Sequence, residues 1–190
     1  MAPSASKWAL GFGGLALVFV FGCGVFDTRE PEDPGNLDTI DLSTPTDPDT
    51  VLTNVRRSLE ALLATAYASQ INEEFVFVPD PIDEAEFPVV WGKDQEEQAH
   101  ISILTDVDSV TLTWGDAGEP NVDGDQQWYD NLPYSLAFSR GQDDAVFSGI
   151  VDLYLLELAN STFQIIRWED LSDGTGAPTW GRLRIDRSAF

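Results

Sequence analysis

Cysteine is almost absent from this chain of 190 residues, since Cys23 is the single one. One cysteine excludes a disulfide within the chain and a cysteine-rich zinc site. Histidine is equally scarce: His100 stands alone, and a lone histidine cannot build a histidine-rich metal site. No nucleotide-binding loop or nucleophile elbow is present either. We therefore expect no metal and no cofactor.

The chain also has few positively charged residues. Ten Lys and Arg residues stand against 33 Asp and Glu residues, for a net charge of −23. A chain this acidic repels polyanions, which excludes nucleic acid as a partner. Docking of the protein surface on anionic lipid headgroups is disfavoured for the same reason. Any attachment to a membrane must therefore come from something other than charge.

Long apolar runs are limited to one, residues 8–22, which contain no charged residue. The run follows Lys7 and is shorter than the about 20 residues that a membrane-spanning helix needs. All 33 acidic residues come after residue 26. A short apolar run behind a positive charge, set apart from an acidic remainder, is typical of a secretory signal peptide.

The end of this run, Val20–Cys23 (VFGC), resembles the lipobox of bacterial lipoproteins. The resemblance implies that residues 1–22 are removed as a signal peptide and that Cys23 carries fatty acyl chains such as palmitate. Several acyl chains anchor a protein firmly, at about 0.8 kcal/mol per buried methylene. Gly24 follows the cysteine, which by analogy with enterobacterial sorting favours the outer membrane of a Gram-negative bacterium. The alternative is that Cys23 is an ordinary buried thiol at the end of a short membrane anchor.

Residues 23–47 are expected to form a tether between the anchor and a domain over residues 48–190. Residues 24–47 are rich in Pro, Gly, Thr and acidic side chains and have no helical or strand period. Their acidic side chains repel one another and keep such a segment extended. The tether is therefore expected to hold the domain away from the membrane.

The domain begins with helix signals and ends with strand signals. Asp47 is placed to cap a helix that starts at Pro48, and leucines and Val55 follow at spacings of three and four. Clean alternation over Asp108–Trp114 predicts a strand. The other expected elements are helices at 64–70 and 95–104 and strands at 75–78, 134–140, 145–158, 163–168 and 179–185. Helices followed by antiparallel strands indicate an α+β fold.

This order of elements resembles the NTF2-like (SnoaL-like) superfamily over residues 48–186. The segments that carry the resemblance are Arg57–Ala61, Tyr67–Ala68, Glu74–Phe77, Trp91–Glu97, Phe163–Asp170 and Thr179–Leu183. The resemblance implies a cone, in which a curved antiparallel sheet wraps around N-terminal helices and leaves a mouth open. It also implies a pocket inside the cone and, as an option, a homodimer formed through the outer face of the sheet. A lipocalin-like barrel is the alternative fold, but two N-terminal helices fit it poorly.

Five aromatic residues are candidates for lining the pocket: Tyr67, Phe77, Trp91, Tyr134 and Trp168. Pockets are mostly apolar with a few polar groups, although large aromatic side chains more often belong to the core. Superfamily enzymes commonly use Asp, His or Tyr inside the cone, so Asp80, Asp83 and Asp170 are candidate proton-accepting groups. With so many acids in the chain, a carboxylate near a pocket is also expected by chance. His100 is either a general base or, as its helical position favours, a partly exposed residue.

The acidic segment from Asn121 to Asp130 is a candidate calcium loop, because carboxylates spaced by two residues bind calcium. Its glycine is misplaced for an EF-hand and no terminal Glu follows, so a solvated turn is favoured.

Two functional hypotheses remain. In the first, the protein is an envelope-tethered, non-catalytic domain that binds a small apolar ligand or a protein partner. In the second, it is an envelope isomerase or hydrolase that uses a pocket carboxylate. The missing catalytic set favours the first, and superfamily precedent alone supports the second.

Overall fold

The computed structural model describes residues 40–87 and 91–188, with side chains through residue 186. The predicted signal peptide, Cys23 and most of the predicted tether lie outside these residues. The described part forms four α-helices: α1 (Pro48–Glu60), α2 (Ala64–Ala68), α3 (Lys93–Thr105) and α4 (Trp180–Ser188). It also forms six strands: β1 (Ile71–Val78), β2 (Ser109–Trp114), β3 (Asn121–Asp123), β4 (Gln126–Arg140), β5 (Asp143–Glu157) and β6 (Phe163–Leu171).

Helix α1 begins where the sequence predicts. Asp47 is the N-cap, and its Oδ1 accepts a hydrogen bond from the backbone N–H of Thr50 at 2.7 Å. Pro48 occupies the first turn, where its missing N–H costs no helical hydrogen bond. Val55 and Leu59 lie on the buried face of the helix. The apolar spacing of the sequence thus positions α1 against the sheet.

The residues immediately before α1 contact the domain. The carbonyl of Ser43 accepts a hydrogen bond from Asn54 Nδ2 at 2.7 Å. The carbonyl of Pro45 accepts one from the backbone N–H of Phe163, also at 2.7 Å. The last described residues of the predicted tether are therefore fastened to α1 and to the start of β6.

The strands form one sheet in the order β1-β6-β5-β4-β2, with β3 paired to β4. All neighbouring pairs are antiparallel except β1 and β6, which run parallel with Phe77 aligned to Trp168. One face of the sheet is buried against the helices, and on β4 it carries Tyr134, Leu136 and Phe138. The predicted α+β class is confirmed.

β-bulges in β4 and in β6 shape this sheet. In β4 an extra residue lies between Tyr129 and Leu132, next to Asn131 with its left-handed φ of 53°. In β6 an extra residue lies between Ile165 and Arg167. Each bulge changes the alternation of buried side chains, so that residues three apart are both buried: Tyr129 with Leu132 on β4, and Ile165 with Trp168 on β6. Bulges bend a strand and increase its twist, which lets the sheet curve around the helices.

The predicted last strand over 179–185 is wrong, because residues 180–185 belong to α4 and Thr179 precedes it. Thr179 Oγ1 accepts a hydrogen bond from the backbone N–H of Arg182 at 3.2 Å and so caps the helix. The buried side chains are Trp180, Leu183 and Arg184, spaced by three and four as on one helical face. Sequence analysis misses this helical period because an arginine such as Arg184 is expected to face solvent.

Candidate functional site

The five aromatic residues predicted to line a pocket surround one space, here called the cone interior, between the buried face of the sheet and helices α2, α3 and α4. Their exposure is at most 4%, for Tyr67, Phe77, Trp91, Tyr134 and Trp168. Two side chains of α4, Trp180 and Arg184, extend into this space and are themselves fully buried. The sequence thus identifies residues that meet in space, and it misses the two that fill the space between them.

Trp180 lies at the centre of the cone interior. Its ring packs edge-on against Trp168, with centroids 4.8 Å apart, and also edge-on against Tyr134 and His100 at 5.9 and 5.7 Å. These partners come from β6, β4 and α3. Because edge-to-face aromatic pairs add stability beyond area burial, Trp180 joins the sheet to the helices.

Glu96 of α3 is the polar centre of the cone interior. Its carboxylate accepts hydrogen bonds from the hydroxyl of Tyr67 at 2.5 Å and from Trp91 Nε1 at 2.8 Å. Arg184 donates from Nε at 2.8 Å to one carboxylate oxygen and from Nη2 at 2.6 Å to the other. Burial, the largest single effect, raises the pKa of Glu96, but the charge of Arg184, the proximity of His100 and the hydrogen bonds from Arg184 and Tyr67 together lower it to about 2. Glu96 is therefore a fully paired anion across the physiological pH range.

The guanidinium of Arg184 is enclosed by aromatic rings as well as by Glu96. Its central carbon lies 4.2 Å from the ring centroid of Phe77, 4.9 Å from that of Trp180 and 5.1 Å from that of Trp168. Burial opposes the charge, yet Glu96 raises the pKa of Arg184 above its ordinary value. Within the described part of the chain, its Nη1 has no hydrogen-bond partner.

Asp170 of β6 forms a second polar cluster, at the start of α4. It accepts a hydrogen bond from the hydroxyl of Tyr134 at 2.7 Å and another from the backbone N–H of Gly181. The hydroxyl of Tyr134 in turn accepts the backbone N–H of Trp180 at 2.7 Å. Burial raises the pKa of Asp170 to about 6, against the lowering effects of Arg184 and of these bonds. Asp170 is thus a buried carboxylate that titrates close to neutral pH.

Glycine makes the Asp170 cluster possible, because two glycines lie where a side chain would collide with it. A Cβ on Gly149 would lie 2.8 Å from the hydroxyl of Tyr134 and 2.6 Å from the carbonyl of Leu171. A Cβ on Gly181 would lie 2.9 Å from Asp170 Oδ2. Close approach of Tyr134, Asp170 and α4 therefore depends on both residues lacking a side chain.

His100 is buried, and the expectation of a partly exposed residue is wrong. Its ring stacks on Tyr67 with centroids 4.0 Å apart, and Nδ1 lies 2.9 Å from the carbonyl of Glu96. That carbonyl only accepts, so we assign the proton to Nδ1 and the free lone pair to Nε2. Burial lowers the pKa of His100 to about 4, with Glu96 opposing. Among the described residues, Nε2 has no hydrogen-bond partner.

The other two candidate carboxylates lie outside the cone interior. Asp80 and Asp83 line an open cleft of about 360 Å³ next to Thr179 and Arg182. The carboxylate of Asp80 accepts backbone N–H groups of Ile82 at 2.8 Å and of Ser172 at 2.7 Å. Asp83 lies 3.5 Å from Arg182. These contacts hold loops together, so the structure brings only Asp170 of the three candidates to the aromatic residues.

The candidate calcium loop forms a β-hairpin between β3 and β4, with Gly124 in a left-handed conformation at its turn. Asn121 Nδ2 donates to Asp130 Oδ2 at 2.9 Å across the hairpin. Over residues 40–87 and 91–188, no group of three metal-binding side chains is found. Within the same ranges, no helix combines the length and hydropathy needed to span a membrane.

No family model matches the sequence, and no curated protein matches it. Solved structures do resemble it in fold. A Mycobacterium tuberculosis protein of unknown function superposes with a TM-score of 0.56 at 11% identity, over 74% of this chain and 82% of that one. An NTF2-like superfamily protein from Salmonella enterica serovar Typhimurium gives 0.51 at 13% identity, over 66% and 90%. A candidate scytalone dehydratase from Novosphingobium aromaticivorans gives 0.56 at 11% identity, over 70% and 91%. The domain therefore has the NTF2-like fold that the sequence resemblance predicts, and at these identities the likeness shows the fold alone.

Proposed function

We propose that this protein is a lipid-anchored, non-catalytic protein of the cell envelope, whose NTF2-like domain binds a protein partner. The proposal that the protein is non-catalytic rests on one observation, which is that side chains fill the cone interior. Trp180 and Arg184 are fully buried in the space where an NTF2-like enzyme would hold a substrate. Glu96, the buried acid of α3, is saturated by Tyr67, Trp91 and Arg184 and has no capacity left for a substrate.

The partner surface is expected to be basic, because the chain carries a net charge of −23. Complementary charge raises the rate of encounter and makes binding sensitive to salt. The test is cross-linking in intact cells followed by purification of the full protein. When cross-linking is carried out at low salt, we expect it to capture a basic envelope protein. When it is carried out at high salt, we expect this protein to be missing. Recovery of the uncross-linked monomer alone at every salt concentration would contradict partner binding.

The anchor is proposed on the apolar run before Cys23 and on its likeness to a lipobox. The test compares the native protein with the C23S variant by membrane fractionation and mass spectrometry. The native protein is expected in the outer-membrane fraction with an acylated amino-terminal Cys23, and C23S in the inner-membrane fraction, without acyl chains and with residues 1–22 retained. An unmodified Cys23 in the finished protein would overturn the anchor, the compartment and the tether together.

The small-ligand alternative is tested with the same protein by thermal shift. A panel of apolar compounds should leave Tm unchanged, because the cone interior is already filled. A compound that raises Tm in proportion to the logarithm of its concentration would establish a ligand-binding function instead. The W180A variant is the matched control: it removes the central side chain and should bind small aromatic compounds, as engineered apolar cavities do.

An enzyme remains the second candidate, and one observation favours it. The cone interior contains two groups that could accept a proton: Asp170, whose pKa is about 6, and His100, whose Nε2 has no hydrogen-bond partner among the described residues. Such a reaction requires α4 to leave the cone. Hydrogen exchange distinguishes the two functions, because a permanently filled cone keeps the amides of α4 protected as long as those of β5. Exchange of α4 that is much faster than that of β5 would favour the enzyme.

A further inference from the structure

The groups around Arg184 come mostly from elements other than α4. Glu96 comes from α3, Phe77 from β1 and Trp168 from β6, and only Trp180 shares a helix with the arginine. Tyr67 donates to one oxygen of Glu96 and Trp91 to the other. These two bonds orient the carboxylate, and both of its oxygens also accept hydrogen bonds from Arg184.

The shape of this site matches a guanidinium. Nε of Arg184 lies 2.8 Å from one oxygen of Glu96, and Nη2 lies 2.6 Å from the other, which is a bidentate pair. The rings of Phe77 and Trp168 lie 4.2 and 5.1 Å from the guanidinium carbon and attract a planar cation by stacking and by cation–π interaction. An ammonium is a compact and strongly hydrated point charge, so although an aromatic ring attracts it, it cannot form the planar bidentate pair with Glu96.

We propose that the cone interior is a binding site for an alkylguanidinium cation and that Arg184 of α4 is its intramolecular ligand. The residue pair Glu96 and Arg184 is 88 positions apart in sequence, so α4 acts as a distant segment that enters a site already formed by the rest of the domain. The domain then recognises its own helix through one side chain. This inference is independent of the lipid anchor and of the proposed partner.

The test is chemical rescue of the full-length R184A variant by ethylguanidinium, which supplies the atoms that this substitution removes. R184A is expected to have a lower Tm than the native protein. Ethylguanidinium at millimolar concentration, far below the denaturing range of guanidinium salts, is expected to raise Tm of R184A saturably. At ten times its dissociation constant, the rise for a domain of this size is about 4 °C. If R184A does not fold without ethylguanidinium, the test is instead whether adding ethylguanidinium restores its near-ultraviolet circular dichroism.

Three controls make the result specific. R182A removes a neighbouring arginine of the helix, which is one-third exposed and pairs with Glu86 and Asp186, so ethylguanidinium should not stabilise it. The native protein should also show no rise, because Arg184 occupies its site. The double variant E96Q/R184A should not be rescued, because the amide has no negative charge and offers one acceptor oxygen where the bidentate pair needs two.

The choice of cation completes the test. Propylammonium, with a similar length and the same charge, should leave R184A unchanged. An equal rise with propylammonium would overturn the claim of guanidinium recognition. The absence of any saturable rescue of R184A by ethylguanidinium, or an equal rise in R182A or E96Q/R184A, would overturn the site itself.

Discussion

Glu96 is the residue on which the polar part of the cone interior depends, because every other charged or hydroxyl group there is oriented towards it or towards Asp170. We expect E96Q to lower the free energy of unfolding by about 3–5 kcal/mol, since it leaves the buried guanidinium of Arg184 without a counter-charge. Replacing both partners by methionine should cost less, because the desolvation of both charges disappears together.

Urea unfolding of E96Q, R184M, E96M/R184M and R182A measures these differences. Arg182 is itself one-third exposed and its shortest ion pairs are with the exposed carboxylates of Glu86 and Asp186, so R182A should cost at most about 1 kcal/mol. If E96Q were no more destabilised than R182A, the buried pair would not be an important source of stability.

Asp170 should give the domain a dependence on pH of unusual sign. Its folded pKa is raised from 3.8 to about 6, so the folded state holds a proton that the unfolded state releases. The stability from this proton is fully present below about pH 4 and is lost as pH rises through about 6. The lowered pKa of His100 acts in the opposite direction, because its contribution is lost as pH falls from about 6.5 to about 4.

The D170N variant isolates the contribution of Asp170, because all other groups titrate alike in both proteins. Between pH 4 and pH 7, the native protein should lose about 2 kcal/mol relative to D170N, as measured by urea unfolding at each pH. D143N, a change at an exposed position of β5, serves as the control and should run parallel to the native protein. A constant difference between D170N and native protein would show that Asp170 does not titrate in this range.

At the scale of the element, α4 is fastened to the sheet through its first turn. Helices leave their first N–H groups without helical partners, and here the hydroxyl of Tyr134 and the carboxylate of Asp170 accept two of them. Y134F removes one acceptor and leaves the N–H of Trp180 buried and unpaired. We expect a loss of about 1–3 kcal/mol and faster hydrogen exchange at the start of α4.

Y154F provides the comparison, since Tyr154 lies on the other face of the sheet and is partly exposed. It should leave the exchange of α4 unchanged. Equal exchange of α4 in Y134F and native protein would mean that the hydroxyl does not hold the helix.

The elements that sequence predicts well are those whose signals are local. Asp47 and Pro48 mark the start of α1, and alternation from Val110 to Trp114 marks β2, because capping and side-chain period need no tertiary information. The aromatic residues of the cone interior are also found, because large rings are buried in any fold of this class. Trp180 and Arg184 are missed, since an arginine is read as solvent-facing unless its counter-charge, 88 positions away in this chain, is known.

At the scale of the whole molecule, charge works against the fold. A net charge of −23 makes the compact state repel itself, and the buried ion pair contributes nothing to relieving that repulsion because its two charges cancel. Salt screens exposed charges over about 10 Å at 0.1 M, whereas buried pairs are screened far less. Added salt should therefore stabilise this domain, although salt weakens individual surface ion pairs such as Lys93 with Glu73.

The prediction is that Tm at pH 7 rises when sodium chloride is raised from low to moderate concentration, by about 2–4 °C for each kcal/mol of repulsion removed. The effect should vanish near pH 4.1, the isoelectric point, where the net charge is close to zero. Differential scanning calorimetry measures the change of Tm with salt at both pH values. Near pH 4.1, where repulsion is absent, any remaining change of Tm measures the effect of salt on apolar burial. The same rise at both pH values would mean that salt acts through apolar burial, and the self-repulsion assigned to this acidic molecule would then be negligible.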